Sequence, residues 1–224
     1  MPDTSTVLPQ TLGDVTRQQA HARGHDIAYT FEGRATSFAE FDRHASQIAN
    51  GLIAAGVEPG TRIAYLGKNS DHYFEALFGA AKAGVVMTPV NWRLAPPEIV
   101  YILSDCKAKI LFVGSEFTAL VRGIANNLPT VKRFIAMEGD VPEWQSFEVW
   151  RDAQPDRDPQ CAVAREDVAI QLYTSGTTGR PKGAILKHAG ILGPRQAFAA
   201  DAPEWNKWAA DDIGLVAMPV FHIG

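Results

Sequence analysis

Two kinds of apolar pattern alternate along this chain: segments with the periodicity of a helix and short continuous apolar runs. Positions 74, 77, 78 and 81 are apolar and fall at i, i+3, i+4 and i+7, which predicts one face of a helix that Ser70 caps and Gly84 ends. Further helices are predicted over residues 12–23, 38–55, 116–127 and 189–200, and from the Pro96-Pro97 pair to residue 105. Strands are predicted over residues 27–31, 35–38, 62–66, 85–88, 110–113, 133–137, 168–173, 184–186 and 213–218.

Local signals mark where several of these elements begin and turn. Ser37 and Glu40 have the spacing of a capping box, so a helix is expected to start directly after Ser37. Glu32-Gly33 separates two short strand patterns, which predicts a hairpin. Short β-branched runs between amphipathic helices are typical of βαβ units. The pattern therefore predicts an α/β fold with mostly parallel sheets flanked by helices.

Composition narrows the class of protein. The chain has 224 residues, 46% of them hydrophobic, and a net charge of −4, which is ordinary for a soluble globular domain. No basic stripe is present, so a nucleic-acid-binding function is not expected. No apolar run approaches the ~20 residues of a transmembrane helix, and the N-terminus lacks the pattern of a signal peptide. The two cysteines, Cys106 and Cys161, favour a reduced, cytoplasmic setting over a disulfide framework.

One acidic stretch is assigned to the surface. The sequence PDRDP, residues 155–159, predicts a connection that is either a domain boundary or a loop within one domain. Asp156 and Asp158 flank Arg157 there, and we interpret them as a solvated loop and not as a metal site.

The stretch YTSGTTGRPKGAIL, which begins at Tyr173, has the composition of a phosphate-binding loop. Glycine permits positive φ and close approach of the backbone to a ligand, successive N–H groups can form an anion-binding nest, and lysine supplies a mobile positive charge. The alternative is a flexible hairpin rich in turn residues. Pro181 and Gly183 depart from the G-x-x-x-x-G-K-[ST] pattern, and the loop is not G-x-G-x-x-G either.

The segment TSGTTGRPKG, residues 174–183, resembles the phosphate-loop signature of the adenylate-forming, or AMP-binding, enzymes. This superfamily includes acyl-CoA synthetases, peptide-synthetase adenylation domains and luciferases. PVNWRLAPPEIVYIL, residues 89–103, and MPVFHIG, residues 218–224, resemble two further segments of fatty-acyl and aryl CoA ligases. The chain is most similar in these motifs to a fatty-acyl-CoA synthetase or another acyl-CoA ligase.

The resemblance implies a two-step reaction with ATP, Mg²⁺ and CoA as a co-substrate. A carboxylate, expected to be a fatty or other apolar acid, attacks the α-phosphate of ATP, and a thiol then takes the acyl group from the adenylate. By the family pattern Lys182 and His222 would be catalytic, and Thr174 would also help to position Mg²⁺. The residues implied in nucleotide binding are Thr174, Ser175, Gly176, Thr177, Thr178, Gly179 and Lys182.

The family's later motifs are absent from these residues, so the chain is expected to be its N-terminal part and to be inactive alone. Family precedent places residues 61–186 in a first α/β subdomain, and residues 1–56 with 187–224 in the start of a second. The incomplete second sheet would leave an apolar surface that is either exposed or covered by a second copy in a homodimer. Lys187 also departs from relatives that carry Ser or Thr there.

Two rival functions stay open. The first is an adenylation module that loads a carrier protein instead of CoA. The second is a non-catalytic nucleotide-binding fragment or regulatory module.

Overall fold

The computed structural model describes residues 7–174, 180–200, 207, 209 and 212–222. Its helices are α1 (Leu12–Arg23), α2 (Phe38–Ala54), α3 (Asp71–Lys82), α4 (Pro96–Asp105), α5 (Thr118–Ile124), α6 (Phe147–Asp152) and α7 (His188–Ala200). Its strands are β1 (Ile27–Phe31), β2 (Arg34–Ser37), β3 (Arg62–Leu66), β4 (Val86–Pro89), β5 (Ile110–Val113), β6 (Arg133–Ala136), β7 (Gln145–Ser146), β8 (Val168–Thr174) and β9 (Lys182–Lys187).

In the described part of the chain, seven strands form one sheet in the order β7-β6-β5-β3-β4-β8-β9. Every neighbouring pair from β7 to β8 is parallel, and β9 closes the sheet as an antiparallel partner of β8. Strands β1 and β2 form a separate antiparallel hairpin. The predicted α/β class with a mostly parallel, helix-flanked sheet is confirmed.

Alternating side chains of the sheet build a core on each face. On one face Ile63 and Phe112 pack with residues of α1, α2, α3 and α6. On the other face Ala64 and Leu111 pack with residues of α4 and α5. Successive side chains in a strand point to opposite faces, so each buried strand contributes to both cores. This burial on both faces is why β3, β4 and β5 are almost continuously apolar.

Two helix starts differ in how they are capped. The capping box predicted at Ser37 is present, with Glu40 N–H donating to the Ser37 hydroxyl at 3.2 Å and Ser37 N–H donating to the Glu40 carboxylate at 2.9 Å. Ser70 occupies the N-cap position of α3, but its hydroxyl donates to Asp71 and Glu138 and does not cap the helix. Ser70 therefore occupies the predicted N-cap position, but the predicted capping hydrogen bond is absent.

Two predicted elements take another form. The helix predicted over residues 116–127 is a central α5 between 3₁₀ turns, because Phe117 N–H bonds Gly114 O and Leu128 N–H bonds Ala125 O in the i→i+3 pattern. The strand predicted over residues 213–218 is wrong, since these residues have no strand partner in the described part of the chain. The carbonyl of Met218 instead accepts from the Asn69 side chain at 2.9 Å.

The acidic stretch at residues 155–159 is not simply solvated. The Lys82 side chain is fully buried, donates to Asp158 at 2.6 Å and to Ser46 at 2.9 Å, and lies 2.7 Å from an Asp42 oxygen. Arg17 donates to Asp158 as well, at 2.8 Å. Burial by itself would raise the pKa of Asp158, but the hydrogen bonds from Arg17 and Lys82 lower it well below the usual range for a carboxyl. The interpretation of Asp158 as a surface charge was therefore wrong.

His188, the first residue of α7, links that helix to the start of α1. Its Nδ1 accepts a hydrogen bond from Leu12 N–H at 3.2 Å, at the start of α1, and its side chain is buried. Burial lowers the pKa of His188 below its usual 6.5, against the opposing effect of Asp167 and Asp14. An imidazole protonated on Nδ1 cannot accept the bond from Leu12.

We expect this histidine to make stability depend on pH. Because the pKa is lower in the folded state, the unfolded state binds the proton first as the pH falls. Stability is then fully present above pH 6.5 and falls below it, by up to about 1.4 kcal/mol per pH unit. Urea unfolding between pH 8 and pH 5 would measure this slope. His188→Asn keeps an acceptor without titrating, so an equally steep slope in that variant would contradict the assignment.

No helix in the described part of the chain is long and apolar enough to cross a membrane.

Candidate functional site

The glycine- and hydroxyl-rich loop joins the last two strands of the sheet. Strand β8 ends at Thr174 and β9 begins at Lys182, and these two residues are direct partners in the antiparallel register. The carboxyl end of β8 lies at the same edge as those of the other parallel strands. In open α/β sheets this is the edge at which ligands bind.

Of the predicted loop residues, the structure describes the two ends. The side chains of Thr174 and Lys182 are both exposed at the mouth of the loop, where they are accessible to a ligand. The predicted contacts at Ser175, Gly176, Thr177, Thr178 and Gly179 lie outside the described residues.

Gly183 is required by packing and not by its backbone angle. Its φ is not among the positive values of the described residues. A Cβ at this position would lie 2.4 Å from Gln171 Nε2 and 3.2 Å from Tyr173 Cζ. The expected freedom to adopt positive φ therefore does not apply here, and the close approach is to the protein's own side chains.

His222 lies at the same edge of the sheet, after a segment held by residues that follow β3 and β4. Val220 N–H donates to the Asn69 side chain at 3.0 Å, and the Tyr73 hydroxyl donates to Val220 O at 3.4 Å. The Phe221 ring lies 6.1 Å from that of Trp92 and 4.6 Å from the His222 ring. The backbone before His222 is thus positioned by β3 and β4, while the imidazole itself is exposed.

The connections of these two strands explain why a crevice forms there. The chain leaves β3 toward α3 on one face of the sheet and leaves β4 toward α4 on the other face. Adjacent strands whose connections diverge in this way open a cleft at their carboxyl ends. The segment that carries His222 lies in this region, next to Asn69 and Trp92.

The structure brings some of the predicted residues together and not others. Thr174 and Lys182 are partners in the register. The segment before His222 contacts Trp92, which follows β4, and β4 neighbours β8, so His222 lies at the same edge of the sheet. Among the described residues, His222 makes no hydrogen bond or ring contact with Thr174 or Lys182. A ligand at this edge would have to bridge them.

Sequence reasoning missed the residues that support the site. Asn69 and Tyr73 position the segment before His222, and Tyr173 contacts Asp105, a residue of α4. Asn69 could have been noticed, since a polar residue shortly after a buried parallel strand is a common ligand or support position. The Tyr173–Asp105 contact carries no local sequence signal, because 68 positions separate the two residues.

Asn91 and Cys106 have structural roles. Asn91 caps its own loop by accepting from Arg93 N–H at 2.9 Å. Cys106 is buried directly after α4, and burial raises the pKa of its thiol to about 11, so the thiolate is not available as a nucleophile.

The described residues offer a limited donor set to a metal ion. They contain no group of three or more His, Cys, Asp or Glu side chains that could hold one. The exposed Thr174 hydroxyl beside the loop is a hard oxygen donor, which suits Mg²⁺ when phosphate oxygens and water supply the other ligands. Thr174 therefore fits a site completed by a bound polyphosphate.

Comparison with known proteins adds a family match. The sequence model of a family described as "AMP-binding enzyme" matches residues 16–224.

Two curated relatives are similar over nearly the whole chain. A fatty acid–[acyl-carrier-protein] ligase, ScoC, of Streptomyces coeruleorubidus is 41% identical over 96% of this chain and 40% of its own length. A feruloyl-CoA synthase of an Amycolatopsis species is 36% identical over 95% of this chain and 40% of its own length. The chain thus spans about 40% of the curated relatives it matches.

Among solved structures, an anthranilate CoA ligase, AuaEII, in complex with anthranoyl-AMP is similar with a TM-score of 0.76. The two chains are 32% identical, and the match covers 83% of this chain and 36% of that one.

Proposed function

Since this chain belongs to the AMP-binding enzyme family, we propose that the protein activates a carboxylic acid with ATP and transfers the acyl group to the thiol of CoA. The carboxylate would attack the α-phosphate, giving an acyl adenylate and pyrophosphate. The thiol would then displace AMP. The observation that carries this proposal is the β8–β9 hairpin, which presents Thr174 opposite Lys182 at the carboxyl edge of a parallel sheet.

The hairpin would bind the β- and γ-phosphates. Lys182 is exposed at the first position of β9 and has no ion-pair partner among the described residues, so its ammonium group can offset phosphate charge. The glycines and hydroxyls of residues 175–179 would contribute N–H and O–H donors. Such preorganised donors stabilise charge that develops on the leaving pyrophosphate.

Thr174 would supply one oxygen ligand to magnesium. The ion, when bound with ATP, would neutralise phosphate charge and orient the leaving group. The exposed hydroxyl at the end of β8 supports this assignment.

His222 would orient the carboxylate and the α-phosphate. The backbone two residues before it is held at Val220 by Asn69 and Tyr73, near the ends of β3 and β4. A positioned group of this kind contributes by holding reactants in an attack geometry.

We propose a fatty acid as the substrate. The relatives support an acid but not one class of acid, because the curated names and solved structures include fatty, feruloyl and anthranilate ligases. Carrier-protein loading is a second candidate, since the relative that is 41% identical is named for an acyl-carrier-protein acceptor.

We also propose a division of the chain into subdomains, which rests on the precedent of the family. Residues 61–186 would form a first subdomain, and residues 1–56 with 187–224 would begin a second. A homodimer and a cytoplasmic location also stay predictions; the two free cysteines are compatible with a reducing compartment.

Acid-dependent exchange of labelled pyrophosphate into ATP, measured on the natural full-length protein, tests the first half-reaction. We expect exchange with medium- or long-chain fatty acids and weaker exchange with benzoate, ferulate and anthranilate. Thioester formation with CoA and with a phosphopantetheinylated carrier protein, followed by mass spectrometry, separates the two acceptors. ATP binding without exchange for any acid would contradict the proposal and favour a nucleotide-binding module.

A further inference from the structure

A network of hydrogen bonds lies next to the β8 end of the phosphate loop, residues 174–183. Arg62 Nε donates to Gln171 Oε1 at 2.9 Å, and Gln171 Nε2 donates to the Tyr173 hydroxyl at 3.0 Å. The Tyr173 hydroxyl in turn donates to an Asp105 carboxylate oxygen. The network therefore begins at a cation and ends at an anion, and every donor points the same way. Such an arrangement strengthens each bond in it.

This hydrogen-bond network connects three elements of the fold. Arg62 begins β3, Gln171 and Tyr173 belong to β8, and Asp105 is the last residue of α4. Gln171 is buried, so breaking its bonds would leave an amide without partners. The pKa of the Tyr173 hydroxyl is raised, first by burial and then by its bond to Asp105, so it stays a proton donor.

Helix α4 contacts the other end of the loop as well. The guanidinium of Arg180, two residues before β9, lies over the Tyr101 ring at 5.6 Å. Tyr101 and Asp105 are four positions apart and so lie on the same face of α4. One helix face therefore contacts both ends of the loop, through Tyr173 just before it and Arg180 near its end.

The same hydrogen-bond network explains why position 183 is a glycine. This residue lies directly opposite Tyr173 in the register, and a Cβ there would overlap Gln171 Nε2 at 2.4 Å. Any side chain would displace the amide that links Arg62 to Tyr173. The last glycine of the loop motif thus preserves the contacts behind the loop.

We propose that Tyr173 and Asp105 are positioning residues that hold the β8 end of the phosphate loop against α4, so that Thr174 and Lys182 are placed to bind ATP. This inference rests on the proposed function. Neither residue needs to touch the nucleotide. Their effect passes through Thr174, the neighbour of Tyr173, and Lys182, the neighbour of Gly183.

The test compares two tyrosine-to-phenylalanine variants of the natural full-length protein. Tyr173→Phe removes the bond to Asp105 together with the hydroxyl that accepts from Gln171. Tyr29→Phe removes a hydroxyl–carboxylate bond to Glu75, 3.2 Å long, in the β1–α3 region. We expect Tyr173→Phe to raise the Kd for ATP, measured by calorimetry without acid, about tenfold. Its KM for ATP should rise to a similar extent while the KM for the acid stays unchanged.

Tyr29→Phe should lower the melting temperature and leave the Kd and KM for ATP at wild-type values. Asp105→Asn keeps an acceptor oxygen and should weaken ATP binding less than Asp105→Ala. Wild-type ATP affinity in Tyr173→Phe, or an equal loss in Tyr29→Phe, would overturn the positioning role. If the wild-type protein binds ATP but catalyses no exchange, only the proposed function fails; if it binds no ATP, both fail.

Discussion

Lys82→Met is expected to destabilise the protein by about 3 kcal/mol, the lower end of the range for removing one partner of a buried ion pair. The Lys82 ammonium is fully buried between Asp42 and Asp158, and methionine has a similar shape but no charge. Its removal leaves two carboxylates without their shared cation. The loss stays at the lower end because Arg17 still donates to Asp158 at 2.8 Å.

Thermal and urea unfolding would measure this effect. A loss of 3 kcal/mol corresponds to about 6–12 °C in melting temperature for a protein of this size. Lys68→Met is the matched control, since Lys68 pairs with Glu116 at 3.0 Å but its side chain is 58% exposed. That exposed pair should change stability by less than about 1 kcal/mol. Equal effects of the two substitutions would show that burial of Lys82 does not matter.

A second substitution tests the charge balance directly. Adding Asp42→Asn to Lys82→Met removes the carboxylate that has lost its cation, while Asp158 keeps Arg17, so part of the lost stability should return. A further loss in the double variant would mean that Asp42 has a stabilising contact apart from Lys82.

Lys182→Ala is expected to slow adenylate formation by roughly 5- to 150-fold, which corresponds to about 1–3 kcal/mol for a charge-assisted contact. Lys182 is exposed at the loop mouth opposite Thr174 and is free to reach a bound triphosphate. Because the side chain is not part of the core, the melting temperature should change little. Acid-dependent pyrophosphate exchange on the natural full-length protein would give kcat and KM for ATP.

Lys187→Ala provides a control on the same strand. Lys187 is also exposed, but it lies at the other end of β9 and pairs with Glu166 at 3.1 Å. Its removal should leave the kinetic constants for ATP unchanged. Lys182→Arg should retain more activity than Lys182→Ala, since it keeps the positive charge. Wild-type kcat and KM in Lys182→Ala would remove this lysine from the site.

Local patterns in the sequence were enough for most elements and for the loop. The bounds of β3 and β5 follow from short apolar runs, and the start of α2 follows from Ser37 and Glu40. These features depend on residues only a few positions apart, so they can be predicted from the sequence without knowledge of the tertiary structure. The loop motif is equally local, because it is one continuous stretch between two strands.

Tertiary structure alone decided the contacts between layers. Lys82 and Asp158 are 76 positions apart, and Tyr173 and Asp105 are 68 apart, so nothing near either residue in sequence indicates its partner. The same holds for Gly183, whose lack of a side chain is explained by the Gln171 amide across the β8–β9 pair.

The predicted strand at residues 213–218 shows the limit of local patterns. Its short apolar run, which includes Ile213 and Val216, is typical of a strand, but a strand also needs a neighbour whose N–H and C=O groups face its own. The described fold instead places the Asn69 side chain against the Met218 carbonyl and leaves Ile213 exposed. The sequence by itself determined the backbone preference and the chemistry of the loop. The stacking of helices on the sheet decided which distant groups meet, because that depends on strand order and not on any one segment.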